Sequence, residues 1–321
     1  MTAVLSVLAL VLGALLLTAG AEAFAEHLRG AAARLGVSVL ALGVLVAGAE
    51  PEEAVTAMLA SGQGHPALAA GDAVGANLVI LTLSLGLAAL FTGLPVSRRV
   101  LEYAGGAAVA GVLTVAFLWN GVMSRLEGAV LVLAYLAGVV WVWLREQAPP
   151  VVGELAEDAA EDAAEDDAGS TGREPSRELL ILLLGLLGMV AGGFLAVRGA
   201  GGLVEVFGVT ESVIGLTVLA LATSAEMVAL VWAAHRRGVT EVVVAGAVGA
   251  VAYNATVSIG LGALVSPLAV GKGSPVVPVA MVTVVLPLLL LAGHRTGKLP
   301  RVLGLVLLAG YVLATGWLFS R

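Results

Sequence analysis

Apolar stretches of about 20 residues recur along nearly the whole chain, separated by short polar punctuation. A helix of about 20 apolar residues is long enough to cross a bilayer. The pattern predicts spans near 2–20, 37–60, 67–93, 101–119, 127–144, 178–197, 212–234, 241–265, 276–293 and 301–319. The first stretch has no Lys or Arg before Arg29, so it lacks the positive n-region of a signal peptide and reads as a span. Glu22, Glu26 and His27 follow it and are expected at the membrane surface.

Composition sharpens this picture. The chain is 60% hydrophobic and only 12% charged, with a mean hydropathy of +1.04, whereas soluble domains run near a quarter charged. The expected fold class is therefore an all-α polytopic membrane protein. Small residues, including 42 glycines, suit close helix contact in lipid, where apolar burial no longer drives association. There is no cysteine, so no disulfide and no thiolate metal ligand. No histidine cluster has metal-ligand spacing, which argues against a zinc site.

The net charge of −7 is local. Residues 154–167, ELAEDAAEDAAEDD, hold eight of the 23 acidic residues and no basic one. Acidic pairs recurring every four residues would repel along one helix face, so this stretch is expected to be a solvated linker. It divides the chain into 1–144, a linker at 145–177, and 178–321. Placing the N-terminus outside puts twelve of the 16 basic residues in the cytoplasm and leaves Arg125, Arg198, Lys272 and Arg321 outside. The positive-inside rule then favours an inner (plasma) membrane protein with both termini outside and the acidic loop cytoplasmic.

Sliding the chain along itself by 174 residues aligns the two halves over some fifty positions. Glu52 falls on Glu226, Ala73-Val74-Gly75-Ala76 on Ala247-Val248-Gly249-Ala250, and Thr82, Ser84 and Gly86 on Thr256, Ser258 and Gly260. The repeats cover about 36–93 and 208–267. Two homologous units of five spans each must insert with opposite orientation. The fold is therefore expected to hold about ten transmembrane helices in two inverted five-helix repeats, with a site near the midplane.

Carboxylates interrupt the apolar pattern at that place. VAGAEPEEAVTAM at 46–58 carries Glu50, Glu52 and Glu53, and LATSAEM at 221–227 carries Glu226. A charge at mid-bilayer costs on the order of 3 kcal/mol or more and normally faces a partner, an ion or water. Pro51 removes a backbone donor, so the helix should break just before Glu52 and free carbonyl oxygens beside the carboxylate. Carboxylates and carbonyls are hard ligands suited to Na⁺, Ca²⁺ or a proton.

These segments resemble the α-repeats of the cation/Ca²⁺ exchanger superfamily. Its members carry G-T-S-x-P-E in one helix of each repeat and G-N-x-x-G-S-N-x-x-(N/D) in the next. Here the first repeat reads AGAEPE at 47–52 and GDAVGANLVI at 71–80; the second reads ALATSAE at 220–226 and AGAVGAVAYN at 245–254. The departures are specific. Gly48-Ala49 replace Thr-Ser, Ala76 and Ala250 replace the serine, and Ile80 replaces the last Asn/Asp of the first repeat. Ala225 replaces the second proline, and Thr223-Ser224 sit one residue nearer the glutamate. Glu50, Glu53 and Asp72 are additional.

The resemblance implies a secondary active antiporter, not an enzyme, exchanging Ca²⁺ for Na⁺ or H⁺ by alternating access as two end spans slide or rock. Loss of several Na⁺-coordinating oxygens implies fewer cation sites, or H⁺ in place of Na⁺. A monovalent cation (Na⁺/K⁺)/H⁺ antiporter is the alternative; an intramembrane enzyme or a non-transporting binding protein is a weaker one. Candidate cation or proton ligands are Glu52, Glu226, Asn254, Asp72, Asn77, Thr223, Ser224, Glu50 and Glu53, with Glu52 and Glu226 as metal ligands. Glu50 and Glu53 lie on different helical faces from Glu52, so all three should not reach one ion. No cofactor is expected beyond the transported Ca²⁺, Na⁺ or H⁺. The expected partners are inorganic cations and the lipid bilayer, with no nucleic acid and no obligate protein partner.

Overall fold

The computed structural model describes residues 2–34, 50–146, 175–228, 231, 240–293 and 295–320. Among these, eight helices are long and apolar enough to cross a membrane: Ala3–Phe24, Pro66–Phe91, Val100–Leu118, Arg125–Arg145, Leu179–Phe207, Gly246–Val265, Val276–Gly293 and Arg301–Phe319. Shorter helices, Pro51–Gly62 and Glu211–Thr223, occupy parts of the other two expected spans. Residues 35–49, 229–230 and 232–239 of those spans, and most of the acidic linker, lie outside the described residues.

The elements are α1 (Ala3–Arg34), α2 (Pro51–Gly62), α3 (Pro66–Leu78), α4 (Leu85–Thr92), α5 (Arg98–Leu118), α6 (Arg125–Glu146), α7 (Pro175–Phe207), α8 (Glu211–Ile214), α9 (Ala220–Thr223), α10 (Thr240–Tyr253), α11 (Ile259–Val265), α12 (Val276–Val285) and α13 (Arg301–Phe319). Three π-helical segments join some of them: Val79–Ser84, Gly215–Leu219 and Asn254–Ser258. His27 is buried rather than at the surface, because α1 runs on to Arg34 and the imidazole Nδ1 bonds the Ala23 carbonyl one turn back at 3.0 Å.

Two-stranded sheets close opposite ends of the bundle. β1 (Leu94–Pro95) pairs antiparallel with β4 (Lys298–Leu299), and β2 (Val122–Met123) with β3 (Leu268–Ala269). The repeat spacing carries Leu94 onto Leu268 and, with two residues more, Met123 onto Leu299. The pair Leu94–Leu299 thus maps onto the pair Leu268–Met123. Arg301 donates to the Phe91 carbonyl at 2.8 Å and Arg125 to the Val265 carbonyl at 2.9 Å, one more reciprocal pair, each guanidinium satisfying orphan carbonyls at a helix C-terminus. β1 and β2 are separated by α5, about 30 Å long at 1.5 Å per residue. Equivalent elements therefore sit at opposite ends of the bundle, and the two halves are inverted.

α1 and α7 pack antiparallel along a seam of small residues. Ser6, Gly13 and Gly20 recur every seven residues on α1, and Gly185, Gly192 and Gly199 on α7. Seven residues is two turns, so each set lines one side of its helix. A Cβ on Gly192 would fall 2.6 Å from the Leu17 backbone nitrogen, and one on Gly199 2.5 Å from that of Leu10. Backbone meets backbone, the contact that small residues permit in lipid.

Two of the π segments, Val79–Ser84 and Asn254–Ser258, fall at matching places, while the counterpart of Gly215–Leu219 lies outside the described residues. Thr82 and Thr256, repeat equivalents, each donate to the carbonyl four residues back, Leu78 and Ala252, at 2.5 Å. Thr217 does the same to Val213 at 2.6 Å. A hydroxyl bound to the i−4 carbonyl competes with the regular ladder. The backbone shifts to π spacing at these points, a local widening common near functional sites.

Gly192→Ala is expected to destabilise the protein in detergent by about 1–3 kcal/mol, the usual cost of forcing atoms into a packed contact. Gly310→Ala, with nothing within 4 Å of the added carbon, should leave thermal unfolding unchanged. Equal unfolding of both variants would show that the glycine seam carries no packing constraint.

Candidate functional site

A helix start in one half and a helix break in the other frame the site. α2 starts at Pro51, where a missing donor is harmless, and Glu50 forms its non-helical N-cap (φ −106°, ψ 80°). At the repeat-equivalent place α9 ends at Thr223, Ser224 leaves the helix (φ −89°, ψ 13°), and residues 225–228 resume it. A helix does start just before Glu52, while the chain ahead of Glu50, where the expected break would be completed, lies outside the described residues; Glu50 and Ser224 are the non-helical residues at the equivalent places.

A close crossing brings the halves together. α3 lies against Gly215–Leu219 with almost no side chain between them. A Cβ on Gly75 would fall 2.7 Å from the Leu216 backbone and from the Ala220 side chain, and one on Gly215 2.6 Å from the Leu68 carbonyl. That contact sets Asp72 against the end of α9.

Three carboxyl groups then find donors in the other half. Thr223 Oγ1 lies 3.2 Å from Asp72 Oδ1 in donating geometry, with the Leu219 and Ala220 carbonyls as its local alternatives at 3.2 and 3.3 Å. Ser224 Oγ donates to Glu53 Oε1 at 2.9 Å. Asn254 Nδ2 donates to Glu50 Oε2 at 3.0 Å, and Ser258 Oγ donates to Asn254 Oδ1 at 3.0 Å. Glu50, Glu52 and Glu53 are each 1% exposed and Asp72 is fully buried; Glu226 is half-buried. Charges on Glu50 and Glu226 are close enough to interact, as are those on Glu53, Asp72 and Glu50.

One oxygen of each of these three acids is anchored and the other is not. Among the described residues, Glu50 Oε1, Glu53 Oε2 and Asp72 Oδ2 are buried without a hydrogen-bond partner. Burying such an oxygen unsatisfied costs roughly 1–3 kcal/mol, more when it is charged. A cation or a proton relieves that cost. No three His, Cys, Asp or Glu side chains among the described residues form a metal-ligand group by themselves. A cation here would need hydroxyl, amide or carbonyl oxygens as well.

The structure thus brings together three cross-repeat hydrogen-bonded pairs, Asp72 with Thr223, Glu53 with Ser224 and Glu50 with Asn254, with Glu226 close enough for its charge to act on Glu50. Glu52 is buried; Tyr253, within range of the charges of Glu50, Glu52 and Glu53, packs edge-on against Tyr135 with ring centroids 5.5 Å apart. Asn77 turns elsewhere, donating at 3.1 Å to the carbonyl of Val251. Val251 is its repeat counterpart, 174 residues away, which places this contact where a twofold axis relating the halves would pass. Asn254 enters the cluster as a donor to Glu50. Ser258, matched by Ser84 in the repeat, reads equally as packing in the sequence; its role follows only from its bond to Asn254.

Comparison with known proteins agrees with the fold. The family described as sodium/calcium exchanger protein matches residues 5–144 and 177–320. A putative antiporter CaxA of Alkalimonas amylolytica is 26% identical, covering 96% of this chain and 97% of that one. The inner membrane protein YrbG of Escherichia coli K12 is 27% identical, covering 88% and 87%. Among solved structures, the sodium-calcium exchanger NCX_Mj soaked with 10 mM Na⁺ and 10 mM Sr²⁺ superposes with a TM-score of 0.61 at 23% identity, covering 98% of this chain and 99% of that one. The chain is a polytopic membrane protein that belongs to the sodium/calcium exchanger family of cation antiporters.

Proposed function

We propose that the chain exchanges Ca²⁺ for Na⁺ or H⁺ by alternating access through the buried carboxylate cluster between α2, α3 and the Ser224 break. The observation that carries this reading is the cluster itself: Glu50, Glu53 and Asp72 from one half, each held by a donor from the other, each with a second oxygen directed to no described donor. Glu52 and Glu226, the repeat-equivalent pair, complete the acidic set. Uncompensated buried charge opposes any motion that carries an empty site through the bilayer, so a loaded or protonated site switches more readily than an empty charged one. That coupling is what makes exchange obligatory.

The α1–α7 pair suits the moving part. Its two helices hold each other by backbone contact and turn large apolar side chains outward, Leu15 and Leu187 being 63% exposed. Such a pair can slide as one body in lipid without opening its own seam. The proposed setting is the inner membrane with both termini outside and the acidic loop cytoplasmic.

Protons are favoured over Na⁺ as the coupling ion by one feature. Asn254 presents its NH₂ to Glu50, and its carbonyl oxygen already accepts from Ser258, so the amide serves a carboxylate rather than a cation. The same feature keeps monovalent cation/H⁺ exchange as a second reading.

Reconstitution into liposomes decides between these. Ca²⁺ uptake should follow an imposed pH gradient, with Na⁺ a weaker driver, and should fall at least tenfold in Glu52→Gln, Glu226→Gln and Asp72→Asn. Uptake driven by Na⁺ alone would overturn the proton reading, and a pH gradient that moves Na⁺ or K⁺ but never Ca²⁺ would establish the second one. Ser258→Ala removes the bond that orients Asn254. It should raise the half-saturating cation concentration up to about tenfold, the equivalent of one hydrogen bond of about 1.4 kcal/mol, while the protein stays folded.

A further inference from the structure

α5 is a peripheral helix, with Val109 and Val112 63% and 54% exposed, yet Thr114 in its apolar run GVLTVAFL is buried at 2% exposure. A helical threonine ordinarily satisfies its hydroxyl on its own preceding turn. Thr114 does so, Oγ1 donating to the Ala110 carbonyl at 3.0 Å, and the same hydroxyl is also in donating geometry to the Ala255 carbonyl across the helix interface. One hydrogen thus serves two carbonyls. One turn earlier α5 packs tightly on α12, where a Cβ added to Gly111 would fall 2.8 Å from a Val284 methyl. The hydroxyl is therefore presented from a well-held helix.

Ala255 follows Asn254 inside the π segment Asn254–Ser258. In an α-helix the Ile259 N–H would serve the Ala255 carbonyl four residues back; here it reaches the Asn254 carbonyl, five residues back. The shift takes the α-helical donor from the Ala255 carbonyl, and the Thr114 hydroxyl stands at that oxygen. The matching segment Val79–Ser84 makes the same shift, the Leu85 N–H reaching the Ile80 carbonyl. The carbonyl released there belongs to Leu81, the repeat counterpart of Ala255. The residues that match Thr114 at spacings of 174 and 176 are Leu288 and Leu290, which have no hydroxyl to offer.

We propose that Thr114 is a positioning residue for the cation site: by holding the Ala255 carbonyl it keeps the π segment in the register that aims the Asn254 amide at Glu50. This role rests on the exchange function proposed above and adds to it a residue outside the acidic set. Ser258 Oγ donates to Asn254 Oδ1 at 3.0 Å and Thr256 Oγ1 to the Ala252 carbonyl at 2.5 Å, but both bonds lie within one helix. Thr114 ties the segment to a second helix. Relaxation to α-helical spacing would turn Asn254 relative to Glu50 and weaken the bond of 3.0 Å between them.

The test compares the full chain in liposomes with Thr114→Val, which keeps the shape and loses the donor, and Thr114→Ser, which keeps the donor. Uptake of Ca²⁺, Na⁺ and K⁺ is followed under an imposed pH gradient. Thr114→Val should raise the half-saturating concentration of the cation that moves by about three- to tenfold, the scale of one hydrogen bond, with the maximal rate within about twofold. Thr114→Ser should match the unaltered protein in both. Hydrogen–deuterium exchange at the Ile259 and Gly260 amides should be at least fivefold faster in Thr114→Val, with the matching Leu85 and Gly86 amides unchanged. If Thr114→Val does not fold, Thr114→Ala supplies the same readings. An unaltered protein that moves none of the three cations would overturn the exchange function and this role with it. A working unaltered protein would overturn the role of Thr114 alone if loss of the hydroxyl left the half-saturating concentration or the amide exchange unchanged, or if Thr114→Ser were equally impaired.

Discussion

A carboxyl group buried inside a membrane protein must have a donor, a cation or a proton, and the architecture of this protein answers to that requirement. Glu50, Glu53 and Asp72 are buried where water cannot serve them, and each takes a hydrogen bond from the opposite half of the chain. The donors can reach because α3 and Gly215–Leu219 touch backbone to backbone at Gly71, Gly75 and Gly215. Larger residues there would separate Asp72 from Thr223 by the width of a side chain. The glycine crossing and the acidic cluster are one constraint seen from two sides.

The fold is symmetric but its chemistry is not. The reciprocal strand pairs and the reciprocal Arg125 and Arg301 caps show two inverted halves built alike. Yet four of the five acids, Glu50, Glu52, Glu53 and Asp72, come from the first half, while Glu226 and the donors Thr223, Ser224, Asn254 and Ser258 come from the second. The counterparts of Glu53 and Asp72 are Met227 and Gly246, and that of Asn254 is Ile80. Acceptors in one repeat thus meet donors in the other. The crossing of α3 with Gly215–Leu219 brings the two repeats together, and their differing residues divide the roles across it.

The periphery follows a different logic. Around the cluster the helices are held by glycine contacts and carbonyl caps, because apolar burial does not drive association in lipid. The α1–α7 seam illustrates its use of small residues: there a glycine lets backbones meet.

Much was legible in sequence because it rests on local physics. Spans follow from apolar runs, the helix start from Pro51, and inversion from an odd number of spans in each repeat. Midspan glutamates point to a candidate site through their cost alone. Other features needed the tertiary structure. Asp72 reads as well at a water-facing span end as in a core, and only the crossing of α3 with the other half buries it. Asn77 and Asn254 look alike as amides in repeat motifs, but one meets its own counterpart's carbonyl and the other a carboxylate. Ser258 reads as packing until its bond to Asn254 is seen. The seven-residue spacing of Ser6, Gly13 and Gly20 against Gly185, Gly192 and Gly199 was present in the sequence, yet which helices share the seam was not. The sequence by itself determined the elements and the price of its buried charges; which donor meets which acid depends on contacts between residues some 150–200 positions apart, and only the folded chain decides those.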